Sequence, residues 1–123
     1  MIDHVTISAQ NYETSLAFYT AVLETLGLKP LYEEKGLVTG FGITRPFFWL
    51  SASDSEHVAT SGLHLALTCN SKDQVHNFHK AAITAGGKDN GAPGPRPQYH
   101  ADYYAAFILD PDGNNLEAVF GNK

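Results

Sequence analysis

The chain has 123 residues, 43% hydrophobic and 17% charged, which fits one globular domain with a core and excludes a disordered segment or two independent domains. Its formal net charge is −5 and its Lys and Arg are scattered, which argues against nucleic acid as the main partner because phosphate binding needs a basic face. A lone cysteine, Cys69, excludes an internal disulfide and points to a reducing, cytoplasmic setting, and no signal peptide or membrane-spanning apolar run is legible.

Ile2 to Ser8 alternates apolar and polar residues, with Ile2, His4 and Thr6 on one face and Val5 and Ile7 on the other; this predicts a strand. Asn11 offers an N-cap to a helix whose apolar residues (Leu16, Phe18, Tyr19, Val22, Leu23, Leu26) fall at helical spacing and which Gly27 stops. Three short strands follow: Leu28 to Glu34, Gly36 to Ile43 and Pro46 to Ser51. Residues 53–60 are polar and aperiodic, and read as a linker.

A second alternating strand begins at Gly62 and contains His64. Ser71 and Gln74 form a capping-box pattern for a second helix with Val75, Phe78, Ala82 and Ile83 as its apolar stripe, stopped by Gly86-Gly87. A short strand near Lys88 follows. Gly91 to Gln98, with three prolines and two glycines, then reads as a structured loop. Strands from Tyr103 to Leu109 and from Asn115 to Phe120 flank the turn Asp110-Pro111-Asp112-Gly113. Cys69, in an apolar strand pattern, reads as an inert core thiol.

A shift of 60 positions lays His4 on His64, Phe18 on Phe78, Ala21 on Ala81 and Gly27 on Gly87. Strand, cap, helix and stop stay in register, so the chain reads as an internal duplication. The fold class is α+β: two paired βαβββ modules, 1–52 and 61–120, forming an incomplete barrel with a concave cleft.

The chemistry-bearing candidates are His4 and His64, one on each first strand, and Glu117, which alternation sets opposite Leu116 and Ala118 on the last strand. Two imidazoles and a carboxylate suit a divalent ion such as Zn(II), Mn(II) or Fe(II) with positions left open for substrate. Arg96, Tyr99, His100, Asp102, Tyr103 and Tyr104 cluster at the extra loop. There, His100 or a tyrosine would act as acid or base, and Arg96 would take an anionic group. Phe41, Phe47, Phe48 and Trp49 would wall an apolar cleft suited to a planar or hydrophobic ligand. His76, His79 and His57 read as surface residues.

The repeat, the first-strand histidines and the Asp110-Pro111-Asp112-Gly113-Asn114 turn before Leu116-Glu117 resemble the vicinal oxygen chelate superfamily. That group includes glyoxalase I, bleomycin-resistance proteins, fosfomycin-resistance enzymes, methylmalonyl-CoA epimerase and extradiol dioxygenases. The resemblance covers essentially the whole chain. It implies a metal site on the concave sheet face, with His4, His64 and Glu117 at three ligand positions, and a divalent ion (Zn, Ni, Mn or Fe(II)) as cofactor. Trp49 stands at the fourth. Indole has no lone pair to give, which sets the chain apart from glyoxalase I and toward a three-ligand pattern.

The implied function is a metal-dependent lyase, isomerase or dioxygenase acting on vicinal oxygens of a small substrate. Glu117, His100 and Tyr104 would carry catalysis, and Trp49, Arg96, Tyr103 and Phe48 substrate binding. The alternative is a metal-free protein of the bleomycin-resistance type that sequesters a small molecule. Both imply a homodimer, and module swapping would set His4 of one chain beside His64 and Glu117 of the other.

Overall fold

The computed structural model describes residues 1–122. Its elements run β1 (Val5–Ala9), α1 (Tyr12–Glu24), β2 (Lys29–Glu34), β3 (Val38–Gly42), β4 (Pro46–Ala52), β5 (His64–Thr68), α2 (Lys72–Thr84), β6 (Lys88–Pro95), β7 (Tyr104–Leu109) and β8 (Asn115–Phe120). They form two four-stranded mixed sheets, β1-β4-β3-β2 and β5-β8-β7-β6. The first strand of each pairs parallel with the last strand of its own unit, and the remaining pairs are antiparallel. The sheets are open rather than closed into a barrel, and their strand orders match element for element.

The helix signals act as the sequence implies. Asn11 accepts from the Thr14 N–H at 3.0 Å and Ser71 from the Gln74 N–H at 3.1 Å, each satisfying a donor the first helical turn leaves free. Gln74 reaches back past its cap to the Asn70 N–H at 2.7 Å. At the end of α1, Gly27 takes a positive φ of 79°. The Leu28 N–H then returns to the Leu23 carbonyl at 3.0 Å, closing the helix in the manner glycine favours.

Each helix covers one face of its own sheet, and α1 touches α2. Phe18, Tyr19, Val22 and Leu23 of α1 bury against Phe41, Phe48 and Leu50, while Val75, Phe78 and Ala82 of α2 bury against Ala106, Ile108, Leu116 and Ala118, all in one apolar cluster. Tyr19 also donates across the unit boundary to Asp110. Among the described residues no helix covers the opposite sheet faces, where Thr6, Tyr32, His64, Ala66 and Thr68 are exposed.

Gly91–Pro95 is strand rather than loop. β6 runs to Pro95, with register shifts on either side of Gly91. The proline signal misleads here because β6 is an edge strand, where a residue without an N–H breaks no ladder. Pro93 falls in the gap between the Gly91 and Gly94 pairings.

Candidate functional site

The Asp110 turn fixes the second unit's site. Asp110 is buried and accepts from the backbone N–H groups of Asp112 (2.9 Å) and Asn114 (2.8 Å), from Asn114 Nδ2 (2.9 Å) and from the Tyr19 hydroxyl. Asn114, held in this way, donates to the Thr60 carbonyl at 2.8 Å and accepts from the Leu63 N–H at 3.1 Å. The turn before β8 therefore ties down the entry to β5, and His64 and Glu117 sit on those two neighbouring strands.

Register does the rest. Ala66 pairs with Glu117, and Phe107 of β7 pairs with Glu117 from the other side. His64, Glu117 and Phe107 thus share the face away from α2. His64 Nε2 lies 2.9 Å from Glu117 Oε1, and the Tyr103 hydroxyl donates to Glu117 Oε2. Glu117 is 2% exposed, a burial that a carboxylate sustains only with partners of this kind. Burial first, and the bond to Glu117 second, push the Tyr103 phenol up to about 12. The Tyr99 ring backs Tyr103 edge-on at 5.2 Å.

The first unit repeats the register with different chemistry. Thr6 pairs with Trp49, and Trp49 with Gly40, so Trp49 stands where the second unit has Glu117. Asp3, His4, Thr6, Val38, Arg45, Pro46 and Trp49 line a cavity of about 420 Å³. His4 lies just before β1 rather than in it. Its Nδ1 is 2.7 Å from Asp3 Oδ1, and Arg45 donates to Asp3 Oδ2 at 3.0 Å. The Arg45 guanidinium, then His4, hold the Asp3 carboxyl below its ordinary range. With Nδ1 on a carboxylate, Nε2 is the nitrogen left for a ligand.

The structure separates several residues that the sequence places together. His4 stands apart from the His64–Glu117 pair, and among the described residues no three His, Cys, Asp or Glu side chains gather to hold a metal within one chain. Phe48 is fully buried between Tyr19 and Phe41 and lines no cleft. Tyr104 points to the helix side, where His76 Nε2 meets its hydroxyl at 2.6 Å; the adjacent Tyr103 takes the place beside Glu117. His100 Nδ1 accepts from the Asp102 N–H at 3.3 Å, turning that ring into its own loop. Arg96 gives its guanidinium to the carbonyls of Ala92 (2.8 Å), Gly94 (2.9 Å) and Pro95 (3.3 Å) and lies 5.4 Å from the Phe107 ring centre. It braces β6 over the sheet, a role different from anion binding.

Gly40 and Gly91 are packing positions beside the site that the sequence alone does not single out. A Cβ on Gly40 would come within 2.6 Å of the Trp49 ring, and one on Gly91 within 2.8 Å of Phe107. An aromatic residue facing a glycine on the neighbouring strand is the available signal, but it needs the pairing register to be read.

A family model described as the glyoxalase/bleomycin resistance protein/dioxygenase superfamily matches residues 1–118. The chain belongs to this superfamily. A glyoxalase/bleomycin resistance protein from Albidiferax ferrireducens T118 is 30% identical, with a TM-score of 0.85 over 97% of this chain and 98% of that one. A lactoylglutathione lyase from Agrobacterium tumefaciens (20% identity, TM-score 0.68, 98% and 93% covered) shares the fold. So does a fosfomycin resistance protein from Mesorhizobium loti (15%, 0.70, 99% and 92%). Comparison with curated proteins finds no match. Superfamily membership thus accounts for the paired βαβββ units. Among the described residues no helix is long and apolar enough to cross a membrane.

Proposed function

We propose that this superfamily member is a metal-dependent enzyme of lyase, isomerase or dioxygenase type that holds a small substrate by two neighbouring oxygens. The site is completed between two copies, with His4 from one and His64 and Glu117 from the other. The observation that carries the reading is the 2.9 Å approach of His64 Nε2 to Glu117 Oε1 on a buried carboxylate. Donor atoms that share an ion at about 2.0–2.2 Å stand at comparable separations, so this pair fits two ligand positions. Glu117 at the bottom of the sheet face and His4 with a free Nε2 make a nitrogen–nitrogen–oxygen set of the kind borderline divalent ions prefer.

When bound, Zn(II), Ni(II), Mn(II) or Fe(II) would supply Lewis acidity for a developing enolate or oxyanion. The chain's own residues prepare the place. Tyr103 fixes Glu117 by its second oxygen, Asp3 fixes the ring of His4, and Phe107 under Arg96 walls the face beside His64. Glu117 is the group able to take up a proton beside the substrate. Trp49 contributes no ligand, which counts against lactoylglutathione lyase chemistry that needs a fourth donor. A second copy as partner is supported by the large apolar residues Ile2, Leu31, Leu37 and Ile43 left exposed in the first unit.

The second reading, metal-free binding of a small molecule, is supported by the same triad: His64 and Tyr103 each hydrogen-bond one oxygen of the buried Glu117 carboxylate, which meets its needs from side chains alone. Elemental analysis of tag-free protein purified without chelator separates the two. The enzyme reading expects close to one divalent ion per chain, lost in His4→Ala, His64→Ala and Glu117→Gln, and a dimer by sedimentation. A monomer, or protein that neither retains these ions nor gains thermal stability from them, would overturn it.

A further inference from the structure

The two sheets use one packing device, shifted by one strand. In the first, the Trp49 indole of β4 covers Gly40 of β3, with three of its ring carbons 2.6–2.8 Å from where a Cβ would stand. In the second, Phe107 of β7 covers Gly91 of β6. The outcome differs on the outward side. Phe107 is already covered by its own chain, because the planar guanidinium of Arg96 lies 5.4 Å from its ring centre. Trp49 carries no such cover among the described residues. It is only partly buried, on the face away from the helices, with Tyr32 edge-on at 5.7 Å and 62°. Beside it is the cavity of about 420 Å³ that His4 and Arg45 also line.

We propose that Trp49, seated over Gly40 and walled by Tyr32, is a preformed stacking platform for a planar conjugated ring of the ligand. This rests on the reading that the uncovered face of the first sheet is half of the binding site. A core tryptophan would be buried among apolar neighbours. This one spends one side on a glycine that no other residue could replace without displacing the ring, and it offers the rest of its ring beside polar groups. A ring placed there gains face-to-face or edge-to-face contact with little reorganisation.

Trp49 is the sole tryptophan, so its indole N–H gives a single cross-peak in a ¹H–¹⁵N spectrum. Titration with naphthalen-2-ol is compared with decahydronaphthalen-2-ol. Both carry one oxygen and neither chelates, so the comparison reads the ring alone. The expected result is a saturable shift with naphthalen-2-ol and affinity roughly three- to tenfold weaker for the saturated analogue. Gly40→Ala, which forces the indole off its seat, should weaken naphthalen-2-ol binding with unchanged circular dichroism, and Trp49→Leu should abolish the discrimination measured by calorimetry. Equal affinity for both probes would overturn the platform, and so would a peak that ignores both but moves on protein dilution, which marks an interface between copies. Metal content measured on the same samples keeps the two ideas apart. Ring discrimination in metal-free protein sustains the platform while the enzyme reading fails, and bound metal without discrimination does the reverse.

Discussion

Trp49 and Glu117 occupy the same register position in their two sheets. Trp49 pairs with Thr6 on the first strand, and Glu117 pairs with Ala66, which stands 60 positions after Thr6. Each faces away from the helix of its unit. One unit has filled this position with an aromatic ring over a glycine, and the other with a buried carboxylate held by His64 and Tyr103.

Trp49→Glu should therefore restore the missing carboxylate. The smaller side chain leaves Gly40 uncrowded and stands on the cavity that His4 lines. Affinity for Zn(II) or Ni(II), read by competition with a chelator, should rise on the order of tenfold, the scale on which changes around a metal ligand act. Unchanged or weaker affinity would show that the first unit's half of the site does not meet the ion.

Cys69 provides the pH-dependent test. The thiol is 4% exposed and burial pushes it up to about 11, from an ordinary 9.0. The folded form binds the proton more tightly than the unfolded one, so this group's contribution is intact below pH 9.0 and is lost as pH rises toward 11. Alkylation by iodoacetamide at pH 8 should be about 100-fold slower in the native protein than in urea, following the thiolate fraction. Urea midpoints should fall above pH 9.0, and Cys69→Ala should flatten that fall. Rapid native labelling would sink the assignment of a buried thiol.

Much of the site was legible because strand alternation and the repeat are local signals. Leu116-Glu117-Ala118 already says that Glu117 turns from the core, and the shift of 60 aligns His4 with His64. What failed was choice between neighbours. Tyr103 and Tyr104, like Phe48 and Trp49, are adjacent on or beside a strand and must face opposite ways. Which of them meets Glu117 depends on the pairing of Phe107 with Glu117, a non-local fact. Where His4 lies relative to His64 is non-local in the same way. The units join through α1 and α2 and through Tyr19 and Asp110, and those contacts are set by packing.

Arg96 and the Gly91–Pro95 segment illustrate the other limit. Composition marked a loop with a free cation. The fold instead uses the segment as an edge strand and has three of its carbonyls accept the guanidinium. Composition reports which donors exist, and the backbone decides where they are consumed.

Tyr19→Phe tests how far the Asp110 turn supports the site. The tyrosine is fully buried, and its hydroxyl donates to a carboxylate that otherwise keeps only Asn114 Nδ2 on that oxygen. Removing a donor to a charged group should lower stability by about 1.5–3 kcal/mol, seen as a lower urea midpoint with unchanged slope. The turn holds β5 against β8 through Asn114, so amide exchange should also quicken at Leu63 and Asn115. A midpoint equal to that of the parent would mean that the turn stands without its tie to α1.

Asp3→Ala separates positioning from stability. Asp3 lies at the surface, its carboxylate 63% exposed, and it touches His4 and Arg45. Thermal stability should hardly change, because exposed pairs of this kind contribute little. The His4 ring, however, loses the acceptor that keeps Nε2 free for a ligand. If His4 completes the site, Zn(II) or Mn(II) affinity should fall about 10- to 100-fold, the effect usual for a residue that orients a metal-bound histidine. ¹⁵N shifts of the imidazole should show the two tautomers mixing in the variant. Asp3→Asn retains an oxygen acceptor for Nδ1 and should recover part of the loss, which a charge effect alone would not produce. Equal metal affinity in all three proteins would place His4 outside the metal site and leave His64 and Glu117 to work without it.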